Sequence, residues 1–266
     1  MREAIAQPVE LFMAHHVDHT SARAEGLIAA QLRDDGIVTV DGLFTRSAVL
    51  AFASRIMAVR SHRDSDPDGL TSIRDTHRHD RRIGFAGLGN GELAPHTERA
   101  GVPVPPRLML MVCEQTADRG GECLLTDGRA AHADLSVWSP EAAVMLAKPR
   151  TAYFGTGDGH PSQVFTVHRG GRVSVRLRQD DLARWSPLVA RHVPDLRDAI
   201  IRNQHKLSLA VGQAYLVDNE RWLHARTRFS GDRRFLRALG EPRFAVPDGF
   251  AVDPAAAALP LTLEVA

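Results

Sequence analysis

The sequence predicts an α+β, mainly β fold, a β-sandwich or jelly roll with flanking helices. Three observations predict it. Short segments of β character recur from residue 106 onward, turn signals such as RGGE, GTGDGHP and SGDR separate them, and helical patterns gather near the N-terminus and in one insert. Strand–helix alternation is not sustained, which argues against a parallel α/β sheet. The 266 residues contain no internal repeat or low-complexity linker, so one domain is expected over 1–266, with its core at about 20–245.

Residues 20–34 read as a helix, because Ala24, Leu27, Ile28 and Leu32 fall mostly at three- and four-residue steps and Gly36 follows as a stop. The segment 37–40, IVTV, reads as a short buried strand, and 45–60 as a second helix with Thr45 at its N-cap. From 61 to 81 the pattern collapses into a long polar stretch, expected to be a lid loop. Strands are expected at 106–114, 122–126, 149–154, 163–168, 172–177, 213–218 and 233–240, with helices at 127–146 and 189–205. The Ala/Pro-rich stretch 246–266 is expected to be an ill-packed tail.

Composition narrows the function classes. Apolar residues make up 44% and charged residues 24%, and the net charge of +1 gives no reason to expect nucleic acid or an acidic membrane as partner. Two cysteines, Cys113 and Cys123, form no disulfide framework and no CxxC pair, and no apolar run reaches the ~18 residues of a membrane span. The first nineteen residues carry no apolar stretch with a small-residue cleavage site. A cytoplasmic protein acting on a small molecule is expected; the sequence leaves the oligomeric state open. No GxSxG, HExxH or P-loop is present.

The chemistry concentrates in two stretches. In LAPHTER (93–99), His96 and Glu98 are two residues apart, so on extended backbone both project to one side. A third donor, His224, follows a predicted strand in DNERWLHARTR. Two imidazoles and one carboxylate on one face of an octahedron leave three positions open, as in non-haem Fe(II) oxygenases. Arg233, Arg234 and Arg237 lie soon after, in GDRRFLRAL, and a guanidinium is the natural partner of a chelating acid's free carboxylate. Strand alternation sets Arg233 and Arg237 on one face and Arg234 on the other.

LAPHTERAGVPVPPRLMLMVCEQTADRGGECLLTDGR, followed by GQAYLVDNERWLHARTRFSGDRRFLRAL, resembles the taurine dioxygenase / clavaminate synthase superfamily over roughly residues 80–240. That resemblance implies a double-stranded β-helix, a cosubstrate 2-oxoglutarate, O2, and iron held by His96, Glu98 and His224. It implies that Arg237 clamps the distal carboxylate, with Arg233 nearer the iron and Arg234 as the alternative. The family's Gly-Gly-Glu-Thr stands here as Gly120-Gly121-Glu122-Cys123, so Cys123 takes the place of a threonine that contacts the cosubstrate. Its His-Gly-Arg stands as His224-Ala225-Arg226. With Glu98 present rather than the Ala or Gly of related halogenases, hydroxylation or another C–H oxidation is implied, of a small molecule such as an amino acid or natural-product intermediate. Arg82, Asn90 and Arg176 are candidate substrate-binding residues. The competing readings are a cupin-type metal enzyme that uses no 2-oxoglutarate, and an inactive binding protein on the same fold.

Overall fold

The structure is a computed structural model that describes residues 8–77, 84 and 86–252. Two antiparallel sheets face one another as a jelly roll. The larger runs Ile37–Val40, Ala214–Asp218, Leu108–Gln115, Arg234–Pro242, Met57–Val59, with Thr71–Arg74 also paired to Arg234–Pro242. The smaller runs Gln204–Leu207, Cys123–Asp127, Trp222–Arg226, Leu93–His96.

The central strand Leu108–Gln115 has six consecutive buried residues, because both faces of its sheet are covered. Leu108, Leu110 and Val112 pack with Leu236 and Ala238 against the helices Ala24–Asp34 and Arg46–Ile56. Met109, Met111 and Cys113 point the other way, joining Tyr215, Val217, Phe235 and Leu239 between the sheets. The smaller sheet supplies Cys123, Leu125, Leu207 and Trp222 to that layer. Its opposite face carries Leu223 against the helices Gly128–Trp138, Pro140–Leu146 and Val193–Arg202.

Where the pattern was strong, the elements match. Arg46–Ile56 begins at Thr45, whose hydroxyl accepts the Ala48 N–H at 3.1 Å, and Val49, Phe52, Ala53 and Ile56 form its buried stripe. The helix expected to reach residue 60 stops at Ile56. Met57–Val59 instead pairs with Gly240, Glu241 and Pro242, so sheet pairing overrides the helical pattern. The expected lid 61–81 is only partly a loop, since Leu70 is buried and Thr71–Arg74 pairs with Arg234–Arg237; residues 78–81 lie outside the described residues.

The stretch 127–146, expected to hold a helix or two, holds two, divided at Ser139-Pro140 where proline opens the second. The expected helix 189–205 becomes Pro187–Ala190 and Val193–Arg202, and Gln204–Leu207 pairs with Cys123–Thr126 as an edge strand. The expected tail is packed in its first residues: Phe250 is buried and bridged to Val173, and Arg107 donates to the Pro247 carbonyl. Residues 253–266 lie outside the described residues. No helix among the described residues is long and apolar enough to cross a membrane.

Candidate active site

The pairing of Leu93–His96 with Trp222–Arg226 sets His96 directly opposite His224, with ring centroids 4.1 Å apart. Glu98 follows on the turn leaving His96, and its Oε2 lies 3.8 Å from His224 Nε2. One donor atom from each of His96, Glu98 and His224 lies within 4.8 Å of the others.

The turn is held from both sides. The Thr97 N–H donates to the Leu177 carbonyl at 2.9 Å, and the Leu177 N–H donates to the Thr97 hydroxyl at 3.1 Å. The buried Asn219 side chain accepts the Glu98 N–H at 2.6 Å and donates to the carbonyls of Glu98 (3.0 Å) and Pro106 (2.9 Å). Arg107 clamps the neighbouring Asp218 bidentately, at 2.6 and 2.9 Å.

The protonation states suit a divalent cation. Burial lowers the pKa of His96 and, further, that of His224, so both imidazoles stay neutral. His96 Nδ1 faces the Ala94 carbonyl at 2.8 Å, which fixes its proton there and leaves Nε2 as a free lone pair. His224 Nδ1 is buried with no hydrogen-bond partner. Burial would push the Glu98 carboxyl up, but the groups around it, Arg237 at 2.7 Å first among them, together outweigh burial and hold the carboxyl at about 2. Two neutral imidazoles and a carboxylate fit iron by charge and donor type.

The three donors line a cavity of about 520 Å³. Arg233, Phe235 and Arg237 face inward, while Arg234 is exposed and bonded to Gln115. The order of the two inward arginines reverses the expectation. Arg237 touches Glu98, whereas Arg233 is almost fully buried, donating to the Gly121 carbonyl at 2.9 Å and lying 3.6 Å from Cys123 Sγ. Arg233 stands just before the strand Arg234–Pro242, and its side chain reaches the Gly-Gly turn. Gly120 and Gly121 sit at φ +70° and +74°, and a Cβ on Gly120 would lie 2.1 Å from the Arg228 carbonyl oxygen. Arg226 reaches across to the carbonyls of Gly89 (2.8 Å) and Gly91 (2.5 Å), tying the loop 87–91 to the cavity rim; burial lowers its pKa to about 10.

Residues 8–239 match the family model described as Taurine catabolism dioxygenase TauD, TfdA family. The chain belongs to this family. As a TauD/TfdA-family member it is a non-haem Fe(II)/2-oxoglutarate-dependent dioxygenase, with Fe(II), 2-oxoglutarate and O2 as its requirements. No curated protein matches the chain. Among solved structures it is similar to asparagine oxygenase in complex with Fe(II), 2S,3S-3-hydroxyasparagine and succinate, at 16% identity, TM-score 0.70, covering 83% of this chain and 79% of that one. It is also similar to the non-heme iron oxygenase OrfP in complex with Fe and alpha-ketoglutaric acid, at 15% identity, TM-score 0.63, covering 88% of each chain. These likenesses are of fold.

Within one cavity of this TauD/TfdA-family chain the structure brings together His96, Glu98, His224, Arg233, Arg237 and Cys123. It does not bring in Asn90 or Arg176. Asn90 is exposed and uses its carbonyl to accept the Phe229 N–H. Arg176 lies behind the Thr97 turn, donating to the carbonyls of Val102 and Pro103. Arg82 lies outside the described residues. Sequence reasoning missed Tyr215, His62 and Arg99 on the cavity wall, and Asn219 behind it. For Asn219 a signal existed, since it stands beside Asp218 in DNERWLHARTR, the stretch that carries His224. For Tyr215, alternation in AYLVD sets it beside Val217 on one face without saying which face is inward.

Proposed function

We propose that the chain hydroxylates an unactivated C–H of a small amino acid or amino acid-like natural-product intermediate, with iron held by His96, Glu98 and His224. The observation that carries this is the convergence of those three donors with two inward arginines in one cavity. Bound iron would supply activation of O2 coupled to oxidative decarboxylation of 2-oxoglutarate to succinate and CO2. Arg233, deep beside Cys123 and away from Glu98, receives the cosubstrate's distal carboxylate. Arg237, against Glu98, serves an anionic group beside the metal. Asn219 and Leu177 orient the donors, and His62, Arg63 and Asp64 border the cavity where the substrate enters.

The substrate class is supported by relatives of the same fold. Asparagine oxygenase is solved with hydroxyasparagine and succinate, and OrfP with succinate and (3S)-hydroxy-L-Arg. Two free, buried cysteines accord with a reducing cytoplasm. The test is a panel of amino acids read by succinate release, with and without 2-oxoglutarate. Substrate-dependent succinate in the wild type, lost in Glu98→Ala, is expected. Retention of most substrate-coupled succinate in Glu98→Ala would remove Glu98 from the ligand set.

A further inference from the structure

Resting on that reading of the site, we infer that Arg99 is a specificity-determining residue that receives a second acidic group, a carboxylate, sulfonate or phosphate, at the end of the substrate remote from the metal.

Six arginines and four acidic residues line the cavity among the described residues, so its walls are net positive. Five of those arginines are engaged. Arg63 pairs with Asp64, Arg178 with Asp180 and Arg237 with Glu98. Arg226 and Arg233 donate to backbone carbonyls. The guanidinium of Arg99, half-buried on the cavity wall, makes no hydrogen bond or ion pair among the described residues. The charges facing it are Glu98, already taken by Arg237, and the guanidiniums of Arg237, Arg60 and Arg63. A cation held among cations without a counter-charge is stabilised by an anion that arrives from solvent.

The backbone points the same way. Arg99 sits at φ +56°, in the left-handed region that glycine or asparagine enters at less cost, while its carbonyl accepts the Val102 N–H to close a turn. Of the three non-glycine residues with positive φ among the described residues, only Arg99 lines the cavity. An arginine there puts a guanidinium on the cavity wall immediately after Glu98. The cosubstrate's distal carboxylate has its own cation in Arg233, so the group left for Arg99 belongs to the substrate. An amino acid-like substrate with an acidic side chain satisfies both Arg237 and Arg99; a cationic one meets repulsion.

Two measurements test this. In the first, wild type, Arg99→Gln and Arg99→Glu are compared on matched acidic, neutral and cationic amino acids by succinate release. The acidic member is expected to have the highest kcat/KM. Arg99→Gln is expected to raise its KM about tenfold with kcat retained, the scale of one partly exposed charge-assisted contact, and Arg99→Glu to shift preference toward the cationic member. Equal or better turnover of neutral or cationic members by the wild type, or an equal KM change for all three, would overturn the inference. In the second, Mn(II)- and 2-oxoglutarate-loaded protein is titrated with inorganic phosphate and 31P relaxation is followed. Enhanced relaxation that weakens about tenfold in Arg99→Gln is expected, and relaxation indifferent to the substitution would overturn the inference. If no amino acid is turned over but phosphate binds through Arg99, the amino acid reading fails while the anion-binding role stands.

Discussion

Replacing Asn219 by alanine removes one side chain that neither lines the metal cavity nor belongs to the donor set, yet governs where Glu98 sits. The amide accepts the Glu98 N–H and donates to two carbonyls, those of Glu98 and Pro106. Asn219 is 4% exposed, so water does not readily replace those bonds. At a net ~1 kcal/mol per bond, the loss is about 3 kcal/mol, rising toward ~5 because the abandoned N–H and carbonyls stay buried. The chain should therefore unfold earlier in denaturant, at unchanged slope. It should also bind Mn(II) more weakly, because the Glu98 carboxylate is no longer fixed against His96 and His224. Denaturation of the apo protein and calorimetric titration with Mn(II) measure the two effects separately. A destabilisation under ~1 kcal/mol together with unchanged metal affinity would refute the positioning role.

The two arginines adjacent in sequence should behave oppositely: Arg233→Ala should weaken 2-oxoglutarate binding to the Mn(II)-loaded protein by at least about tenfold, and Arg234→Ala should leave it within about twofold, as calorimetry would resolve. Thr45→Ala removes the hydroxyl that caps Arg46–Ile56 and should cost about 1 kcal/mol in urea unfolding, with no change in catalysis. His132 is held neutral by burial against Phe165, its pKa lowered from 6.5 to about 4. The unfolded chain therefore takes up a proton that the folded chain refuses, so this contribution is full above pH 6.5 and is lost as pH falls from there to about 4. It amounts to at most roughly 3 kcal/mol, and His132→Leu should flatten that part of the stability–pH curve.

What the sequence disclosed was local. Thr45 and the apolar steps after it announce a helix start, and IVTV announces a strand, because those signals need only a few neighbours. The same stretch misleads at 57–60, where Met57–Val59 obeys a partner strand more than 180 residues away. Gln204–Leu207 misleads likewise, since its strand identity comes from an open edge beside Cys123–Thr126. In the site, HTE two residues apart and the period-two arginines carry their geometry in their spacing. The order of Arg233 and Arg237 does not, because it depends on which of them meets Glu98, a contact between residues 139 apart in the chain. Asn90 and Arg176 were drawn in by closeness in sequence to the donor turn and the strand RVSVRL, yet each spends its bonds on backbone elsewhere.

Core and site are built on one surface. The pleat that sends Phe235 and Leu239 into the apolar layer sends Arg237 inward between them, and the pleat that buries Trp222 also presents His224. The inner space is therefore apolar at one end, among Ile37, Met109, Leu125 and Leu207, and charged at the other. A guanidinium in such a place needs partners, and each of the inner arginines has at least one, although Nε of Arg226 and of Arg237 has none among the described residues. Arg233, deepest, has the Gly121 carbonyl and lies over the Phe235 ring at 3.7 Å. Arg226 has the glycine carbonyls of the rim, and Arg237 has Glu98. Arg99, half-buried on the cavity wall, makes no hydrogen bond or ion pair among the described residues. Burial makes the inner arginines costly to remove and slow to exchange partners, so they define fixed seats. Arg99 is the cation whose partner is left to whatever binds, which places discrimination among substrates at Arg99 and the cosubstrate's position at Arg233.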